Sequence, residues 1–368
     1  MKWRRYDPDV LPLWVAEMDA PLAPPVTEAL AAAVRRGDTG YAHPGRLAEA
    51  YADFSARRFG YTPEAGRTRL MPDVMRGIVE VLRVTTARGA GVVINPPVYH
   101  PFFSFLAAAE RRVVEVPLLS SVDGSYTLDL STLESVFAGG DVSAYLLCNP
   151  HNPTGTVFGP AELTAVAELA QRYGVRMLVD EVHGPLTFPG TPAVPFLSLA
   201  ERSPAAAGAF VFVSASKAWN LAGLKAALVL AGPAAVDDLA RIPEEASFGA
   251  GLLGVLAGEV ALQYGEPWLD SMVRALDANR VLLAELLADR LPGVRYRPPD
   301  ATYLAWLDCR ALGLGDDPAA EFLARGRVAF SPGEQFGTPG RGFVRLNFAT
   351  PVAVLREAVA RMAQAVQL

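Results

Sequence analysis

Short apolar runs alternate with helix-like segments through the middle of the chain. The runs are rich in valine and leucine and read AGVVIN (90–95), RRVVEVPL (111–118), SAYLLCN, VRMLVDE, AFVFVSAS and KAALVLAG. They are separated by segments such as GPAELTAVAELAQRYG, which has a helical pattern. Strands that are apolar along their whole length and joined by crossover helices are typical of a parallel sheet covered on both faces. The pattern therefore predicts the α/β class.

The pattern changes toward the C-terminus. There, TYLAWLDCR, RVAFSPG and GFVRLNFAT precede a final helix predicted from about Pro351, which is typical of a smaller α+β unit. A chain of 368 residues is long enough for two unequal domains. We expect a large domain over residues 37–268 and a small domain, built from residues 1–36 and 269–368, that closes over the active site.

Polar side chains follow four of the predicted strands. Ligands of open α/β sheets collect at the carboxyl ends of the strands, so these side chains are candidates for one site. Each alone has an ordinary explanation, since Asn and Pro after a strand are commonly turn residues and a lone His is commonly structural. Four such strand ends in one sheet favour a ligand site. In chain order the residues are Tyr99, Asn149, Asn152, Asp180, His183, Ser214, Ser216 and Lys217.

Residues 211–225, VFVSASKAWNLAGLK, hold two of only three lysines in a chain with 33 basic residues. A lysine after a buried strand is desolvated, which favours the neutral amine and makes Lys217 a candidate Schiff-base nucleophile. Pyridoxal 5'-phosphate (PLP) suits such an amine, and its pyridine nitrogen requires a carboxylate, which Asp180 can supply. Its phosphate requires a cation and hydrogen-bond donors. The candidates are Lys225, Ser214 and Ser216 for the phosphate, Asn152 for the phenolic oxygen and Tyr99 for the ring face.

The sequence resembles the fold-type I PLP-dependent enzymes of the aminotransferase class I/II superfamily, and within them the MalY/PatB-type cystathionine β-lyases. The resemblance covers nearly the whole chain. It rests on LPLWVAEMD (11–19), TGYAHP, NPPVYHPF, CNPHNPTG, DEVHG, SASKAWNLAGLK, ATYLAWLD and GFVRLNFATP. It implies a large domain with a mostly parallel seven-stranded sheet, a smaller α+β domain, and an amino-acid substrate.

The resemblance also implies roles for individual residues. Lys217 resembles the lysine that carries the cofactor and Asp180 the partner of the ring nitrogen, while Asn152 and His183 resemble neighbours of the phenolic oxygen. Arg345 resembles the arginine that binds the substrate α-carboxylate, a bidentate role suited to guanidinium. Asn152 is also expected next to the substrate.

Two aromatic residues have both a functional and a packing interpretation. Tyr41 resembles a catalytic tyrosine that reaches the active site of the partner subunit, which implies a homodimer with shared active sites, and Trp14 resembles a substrate-binding residue. Either could instead be a packing aromatic. His43, His100 and His151 are interpreted as structural.

One departure from the family pattern lies at MPDVMRG (71–77). Many relatives have glycine in this turn, whereas this chain has Asp73, whose carboxylate would repel a phosphate unless it points away. We therefore expect the backbone N–H groups of Val74 and Met75 to bind the phosphate here.

Composition excludes several other classes. A net charge of −6 provides no basic face for nucleic acid. No run approaches the roughly 18 uncharged residues of a membrane span, and MKWRRYDPDV has no apolar stretch after it that would make a secretion signal. Cys148 and Cys309 have no metal or redox spacing. We expect a cytoplasmic enzyme with no metal site.

Two further motifs lack the surrounding sequence that their usual functions require. Ser214 to Lys217 matches the S-x-x-K of acyl-serine hydrolases, but these require a K-T-G element, and the three lysines here are followed by AW, AA and WR. GAGLLG (249–254) matches G-x-G-x-x-G, yet it follows RIPEEASF rather than a strand. It is interpreted as the start of a closely packed helix.

The expected reaction is cleavage of a cysteine S-conjugate to thiol, pyruvate and ammonia by a cystathionine β-lyase-like carbon–sulfur lyase. The alternative is a PLP-dependent aminotransferase acting on an amino acid or a biosynthetic intermediate. Three features favour the lyase: His183, a lysine rather than an arginine at position 225, and the close similarity of the motifs to those of the β-lyase branch. The side chain of the substrate is left open.

Overall fold

A seven-stranded sheet organises the structure, a computed structural model that describes residues 1–367. Its strands lie in the order β2-β10-β9-β8-β7-β3-β4. Neighbouring strands from β9 to β4 run parallel, whereas β10 is antiparallel to both β9 and β2. The predicted α/β class and mostly parallel sheet are confirmed. The strands are β2 (Thr68–Met71), β3 (Gly91–Ile94), β4 (Arg112–Glu115), β7 (Val142–Cys148), β8 (Arg176–Asp180), β9 (Phe210–Val213) and β10 (Ala227–Ala231).

Helices cover both faces of this sheet. Alternate side chains of the central strands enter two apolar clusters, one on each face: Val211 and Val213 pack in one cluster, while Phe210 and Phe212 pack in the other. This explains why these strands consist mainly of apolar residues on both faces. The helices are α1 (Pro24–Arg36), α2 (Leu47–Phe59), α3 (Val74–Thr85), α4 (Pro101–Ala108), α5 (Leu130–Ala138), α6 (Pro160–Arg172), α7 (Ala215–Ala218), α8 (Val236–Ala240), α9 (Leu252–Tyr264), α10 (Glu266–Arg290), α11 (Pro318–Gly326) and α12 (Val352–Gln367).

The C-terminal part forms a separate antiparallel sheet in the order β11-β14-β13. The chain start joins this region, because β1 pairs in parallel with β12. A short antiparallel hairpin, β5-β6, forms a separate two-stranded sheet and falls between β4 and β7 in the chain. The strands are β1 (Leu11–Pro12), β5 (Leu119–Ser120), β6 (Tyr126–Thr127), β11 (Leu304–Asp308), β12 (Val328–Ala329), β13 (Ser331–Pro332) and β14 (Phe343–Asn347).

The glycine motif at residues 249–254 begins a helix, as the sequence indicates. Gly251 is the N-cap of α9. A Cβ on Gly251 or Gly254 would lie 2.4 or 2.2 Å from the carbonyl oxygen of Leu224, closer than non-bonded atoms approach. The glycines therefore let α9 pack against the backbone just before Lys225, and the interpretation as a closely packed helix start is confirmed.

No helix within residues 1–367 combines the length and the apolar composition needed to cross a membrane.

Candidate active site

The predicted cofactor residues converge on one cavity of about 260 Å³ at the carboxyl edge of the large sheet. Because β3, β7, β8 and β9 run in the same direction, the segments that follow them meet at this edge. The two helix starts after β2 and β9 complete the wall. The lining includes Val74, Met75, Tyr99, Asn152, Asp180, His183, Ser214, Ser216, Lys217 and Lys225.

Lys217 lies in the short helix α7, directly after β9. Its Nζ donates a hydrogen bond to the Ala16 carbonyl at 3.4 Å. Desolvation by burial, together with the positive charge of Arg345, lowers the pKa of Lys217 to about 8. A lysine in this environment supplies a neutral amine far more readily than one in water, as a nucleophile or a base requires.

Asp180 ends β8 and is 3% exposed. Its Oδ1 accepts a hydrogen bond from the Val182 N–H at 3.0 Å, and burial raises the pKa of its carboxyl to about 6. Within residues 1–367, no lysine or arginine forms an ion pair with it. A buried carboxylate of this kind is stabilised by any cation brought into the cavity.

Glu181, the next residue, faces away from this wall. Its Oε1 accepts from the Phe196 N–H at 2.6 Å, and burial raises the pKa of its carboxyl to about 8.

The wall beside Asp180 carries two neutral polar groups. His183 is buried, its Nδ1 has no hydrogen-bond partner among the described residues, and burial lowers its pKa to about 3. Asn152 is also buried, and its Oδ1 accepts from Arg345 Nη1 at 2.9 Å. Asn152 thus connects this cavity to the arginine behind it.

The opposite end of the cavity is formed by the start of α3. The N–H groups of Val74 and Met75 belong to its first turn, where no intrahelical acceptor is available. Ser216 also lines this end. Ser214 does so as well, but its hydroxyl donates to the Ala226 carbonyl at 2.7 Å and accepts from the Ser216 N–H, so its proton is already engaged in shaping the turn.

The Asp73 side chain lines the end of the first cavity where the phosphate is expected, rather than pointing away from it. It caps α3 by accepting from the Arg76 N–H at 2.8 Å, and its other oxygen pairs with Lys225 Nζ at 2.9 Å.

A second cavity of about 520 Å³ adjoins the first and shares Ala16, Tyr99, Pro101 and Lys217 with it. Arg345, from β14, and Trp14 line this cavity. The Tyr99 ring therefore borders both cavities, and burial raises the pKa of its hydroxyl to about 12.

Arg345 is 3% exposed and has only neutral partners. Its Nη1 donates to Asn152, and its Nη2 donates to the Trp14 carbonyl at 3.1 Å and to Ser331 Oγ at 3.2 Å. Its Nε has no acceptor, and no carboxylate within residues 1–367 forms an ion pair with it. Burial lowers the pKa of Arg345 to about 10. A buried guanidinium without a counter-charge is costly to the fold and well suited to an anionic ligand.

Residues 14–18, WVAEM, form a strap across the site. The Ala16 carbonyl accepts from both Lys217 Nζ and the Tyr303 hydroxyl. The other carbonyls of the strap also accept side-chain donors: Arg345 and Ser331 at Trp14, Asn347 at Val15, Asn347 and Lys2 at Glu17, and Asn220 at Met18. The strap thus ties Lys217 and Asn220 after β9 to Arg345 and Asn347 of β14.

The histidines differ from the sequence interpretation in one case. His151 is structural, with both ring nitrogens bonded to backbone carbonyls. His100, however, lines the second cavity. Its Nδ1 has no partner among the described residues, and burial lowers its pKa to about 4, so it is neutral. A lone histidine at a helix start gives no sequence signal for this position.

Tyr41 is the one predicted catalytic residue that the single chain does not bring to either cavity. It is fully exposed, in a loop between α1 and α2.

The donor set fits PLP. Among the described residues, the first cavity offers a lysine with a lowered pKa, a buried carboxylate that forms no ion pair, an unpaired buried imidazole nitrogen and the first turn of a helix. In this order, these groups are suited to bind the aldehyde, the pyridine nitrogen, the phenolic oxygen and the phosphate of PLP. The unpaired groups are costly to bury alone, and PLP supplies a partner for each.

Comparison with known proteins agrees with this interpretation. The family model for aminotransferase class I and II matches residues 9–362. A Mycobacterium leprae protein, provisionally assigned as a cystathionine beta-lyase, is 49% identical over 99% of this chain and 94% of its own length.

Two solved structures are also similar. A provisionally assigned PLP-dependent beta-cystathionase from Corynebacterium diphtheriae has a TM-score of 0.92 and 39% identity, over 100% of this chain and 96% of the other. The PLP-bound C-S lyase from Staphylococcus hominis has a TM-score of 0.91 and 25% identity, over 99% and 93%. With a family match over almost its entire length, this chain belongs to the aminotransferase class I and II family of PLP-dependent enzymes.

Proposed function

We propose that the protein is a PLP-dependent carbon–sulfur β-lyase that converts a cysteine S-conjugate to a thiol, pyruvate and ammonia. The observation that carries the amino-acid part of this proposal is Arg345, a buried cation that has no carboxylate partner among residues 1–367 and lies in a cavity shared with Lys217. The lyase part is supported by the relatives, which include a provisionally assigned cystathionine beta-lyase and a PLP-bound C-S lyase.

Arg345 binds the α-carboxylate of the substrate. Its guanidinium is held by the Asn152 side chain, the Ser331 hydroxyl and the Trp14 carbonyl, so its orientation is set before substrate arrives. The substrate carboxylate supplies the missing counter-charge in a site of low dielectric, where a charge-assisted pair is strong. Trp14, in the same wall, contacts the substrate.

Lys217 Nζ removes the α-proton. At a pKa of about 8, roughly a tenth of this amine is neutral at neutral pH, against a negligible fraction for an ordinary lysine. Its bond to the Ala16 carbonyl keeps the amine at the boundary of the two cavities. Lys217 would also be the residue that holds the cofactor through its aldehyde in the resting enzyme.

When bound, PLP supplies an electron sink for the electrons that remain on the α-carbon after proton removal. Asp180 would hold the positive charge of the ring nitrogen, and Asn152 and His183 would be the partners of the phenolic oxygen. Val74, Met75, Ser216 and Lys225 would hold the phosphate, with Ser214 fixing the turn, and Tyr99 would support the ring.

The bond that breaks joins the β-carbon to sulfur. Its electron pair leaves with the sulfur, which takes up a proton to become the thiol. The remaining 2-aminoacrylate is hydrolysed by water to pyruvate and ammonia. An aminotransferase would instead release an oxo acid, retain the amino group and require an oxo-acid acceptor for the next turnover.

The decisive experiment incubates the holoenzyme with cystathionine and a panel of S-substituted cysteines, with no oxo acid added. We expect repeated turnover that yields thiol, pyruvate and ammonia in equal amounts. A reaction that stops after one equivalent per site and resumes when an oxo acid is added would replace the lyase by an aminotransferase. The Lys217→Ala variant, prepared with PLP, is the matched control for uncatalysed breakdown.

The proposal includes a homodimer with shared active sites. Tyr41 is fully exposed, and Phe248 and Tyr264 are also largely exposed. Aromatic side chains are enriched at protein–protein interfaces relative to the rest of the surface. In the dimer, Tyr41 reaches the active site of the partner subunit.

The division into a large domain, residues 37–268, and a small domain, residues 1–36 with 269–368, also remains a proposal. It is supported by the seven-stranded sheet, which lies wholly within residues 68–231, and by the pairing of β1 with β12. A cytoplasmic location is supported by Cys148 and Cys309, both buried and free, as a reducing compartment allows.

A further inference from the structure

An ion pair lies at the end of the first cavity where the cofactor phosphate is proposed to bind. Lys225 Nζ donates to Asp73 Oδ2 at 2.9 Å, with side chains 54% and 37% exposed. Both residues line the cavity together with Val74, Met75 and Ser216. The cation expected for the phosphate is therefore already in contact with a carboxylate of this chain.

The backbone fixes both members of the pair. Asp73 is held at the start of α3 because its Oδ1 accepts from the Arg76 N–H. Lys225 has a φ of 62°, in the left-handed region, and its carbonyl accepts from the Gly251 N–H at 2.7 Å. Gly251 and Gly254 also pack closely against the backbone of Leu224, the residue before Lys225, so the backbone at Lys225 has little room to move. The contact is therefore a feature of the fold.

The pair has a consequence for charge. The cavity is lined by two lysines, of which Lys217 is assigned to the cofactor aldehyde, so Lys225 is the cation left for the phosphate. A phosphate that reaches Lys225 must share the ammonium with Asp73, and it brings nearly two negative charges close to a third. Most of the attraction that Lys225 would provide alone is thereby offset.

We propose that Asp73 competes with the cofactor phosphate for Lys225 and so sets how tightly this enzyme retains PLP. The charges of Asp73 and Lys225 nearly cancel at the phosphate site. The first turn of α3 and Ser216 are left to provide the remaining hydrogen bonds. The holoenzyme consequently exchanges its cofactor with free PLP. This inference rests on the phosphate position given under the proposed function.

The substitution Asp73→Asn tests the charge with little change in shape. Asparagine caps helices as well as aspartate does, so the bond from the Arg76 N–H is kept while the negative charge is lost. Lys225→Ala removes the cation and tests the phosphate position itself. Pyridoxal, which lacks the phosphate, is the matched control ligand, because only the phosphate meets Asp73.

Binding is measured by dialysing each holoenzyme against graded concentrations of PLP and reading the bound cofactor from its visible absorbance. For Asp73→Asn we expect the dissociation constant of PLP to fall roughly three- to fivefold at low salt, as suits partly exposed charges, and the gain to shrink as salt is added. Pyridoxal binding should change by less than about twofold, since it brings no such charge. For Lys225→Ala, PLP binding should weaken.

Unchanged or weaker PLP binding by Asp73→Asn, with Lys225→Ala still weakening it, would overturn this inference and leave the phosphate position standing. An equal change in PLP and pyridoxal binding would also overturn it, because it would show a general disturbance of the cavity. Unchanged PLP binding by Lys225→Ala would overturn the phosphate position and this inference with it.

Discussion

Replacing Asp180 by asparagine should make the cofactor-free chain more stable and the enzyme much less active. Asparagine keeps an oxygen that can accept from the Val182 N–H but carries no charge. Burial raises the pKa of Asp180 from 3.8 to about 6. Between these values the folded chain holds a proton that the unfolded chain has released, so stability falls as the pH rises from about 4 to about 6 and stays lowered above it.

The size of the effect follows from the same shift. At about 1.4 kcal/mol per pKa unit, the raised pKa corresponds to about 3 kcal/mol at pH values above about 6. Urea unfolding of cofactor-free Asp180→Asn should therefore show a gain of about 3 kcal/mol near pH 8 that disappears near pH 4. The same variant, loaded with PLP, should lose about 10²- to 10³-fold in kcat, since a fixed charge at the reacting group is lost. A variant that is less stable near pH 8, or whose gain does not depend on pH, would refute the reasoning.

Four other outcomes follow from the structure. Glu181→Gln should also stabilise the cofactor-free chain, with a gain that keeps growing up to about pH 8 in urea unfolding, because the raised pKa of Glu181 is about 8; a gain that levels off near pH 6 would contradict this. Arg345→Lys should lower kcat/KM for cysteine conjugates by about 10²-fold, because the fork that binds a carboxylate is lost; unchanged kcat/KM would remove Arg345 from the substrate site. Gly254→Ala should cost about 1–3 kcal/mol in unfolding free energy, since its Cβ would lie 2.2 Å from a carbonyl oxygen, whereas Gly223→Ala, with open space around it, should be neutral. Mixing inactive Tyr41→Ala and Lys217→Ala dimers should restore about a quarter of the activity through mixed dimers if sites are shared, and no recovery would refute a shared site.

The large sheet was predictable from sequence because its central strands are buried on both faces. β3 and β9 contain no polar side chain, β7 and β8 are apolar in their centres, and all four lie where the apolar runs indicate. The strand β2 (Thr68–Met71) was missed, since it is four residues long, begins with Thr68 and Arg69, and has no distinctive periodicity. Its partner β10 has the expected composition, but no local feature of a strand specifies that it runs antiparallel.

The convergence at the cavity was predictable for the same reason. Residues after parallel strands meet at one edge, so Asp180 and Lys217 could be placed together from their positions alone. Contacts made by backbone atoms could not be predicted in this way, because every residue has a backbone carbonyl and its presence distinguishes no position. The bond from Lys217 to the Ala16 carbonyl and the bond from Arg345 to the Trp14 carbonyl are of this kind.

Pairings between side chains that are distant in the sequence likewise could not be predicted. The sequence marks Asp73 as unfavourable for a phosphate but does not reveal that Lys225, 152 residues away, is its partner. Likewise, nothing local distinguishes His100, which borders the substrate cavity, from His151, whose nitrogens are both bonded within the fold. Such assignments depend on which elements the tertiary structure brings together.

The central claim is that Lys217 is the reactive amine around which the site is built. The holoenzyme is treated with borohydride, which makes the bond between a lysine amine and the cofactor aldehyde carbon permanent, and the labelled peptide is then identified by mass spectrometry. The chain offers three lysines, Lys2, Lys217 and Lys225, so the outcome is unambiguous. We expect loss of the yellow colour and a single label on Lys217. A label on Lys225, or colour loss with no labelled lysine, would contradict it.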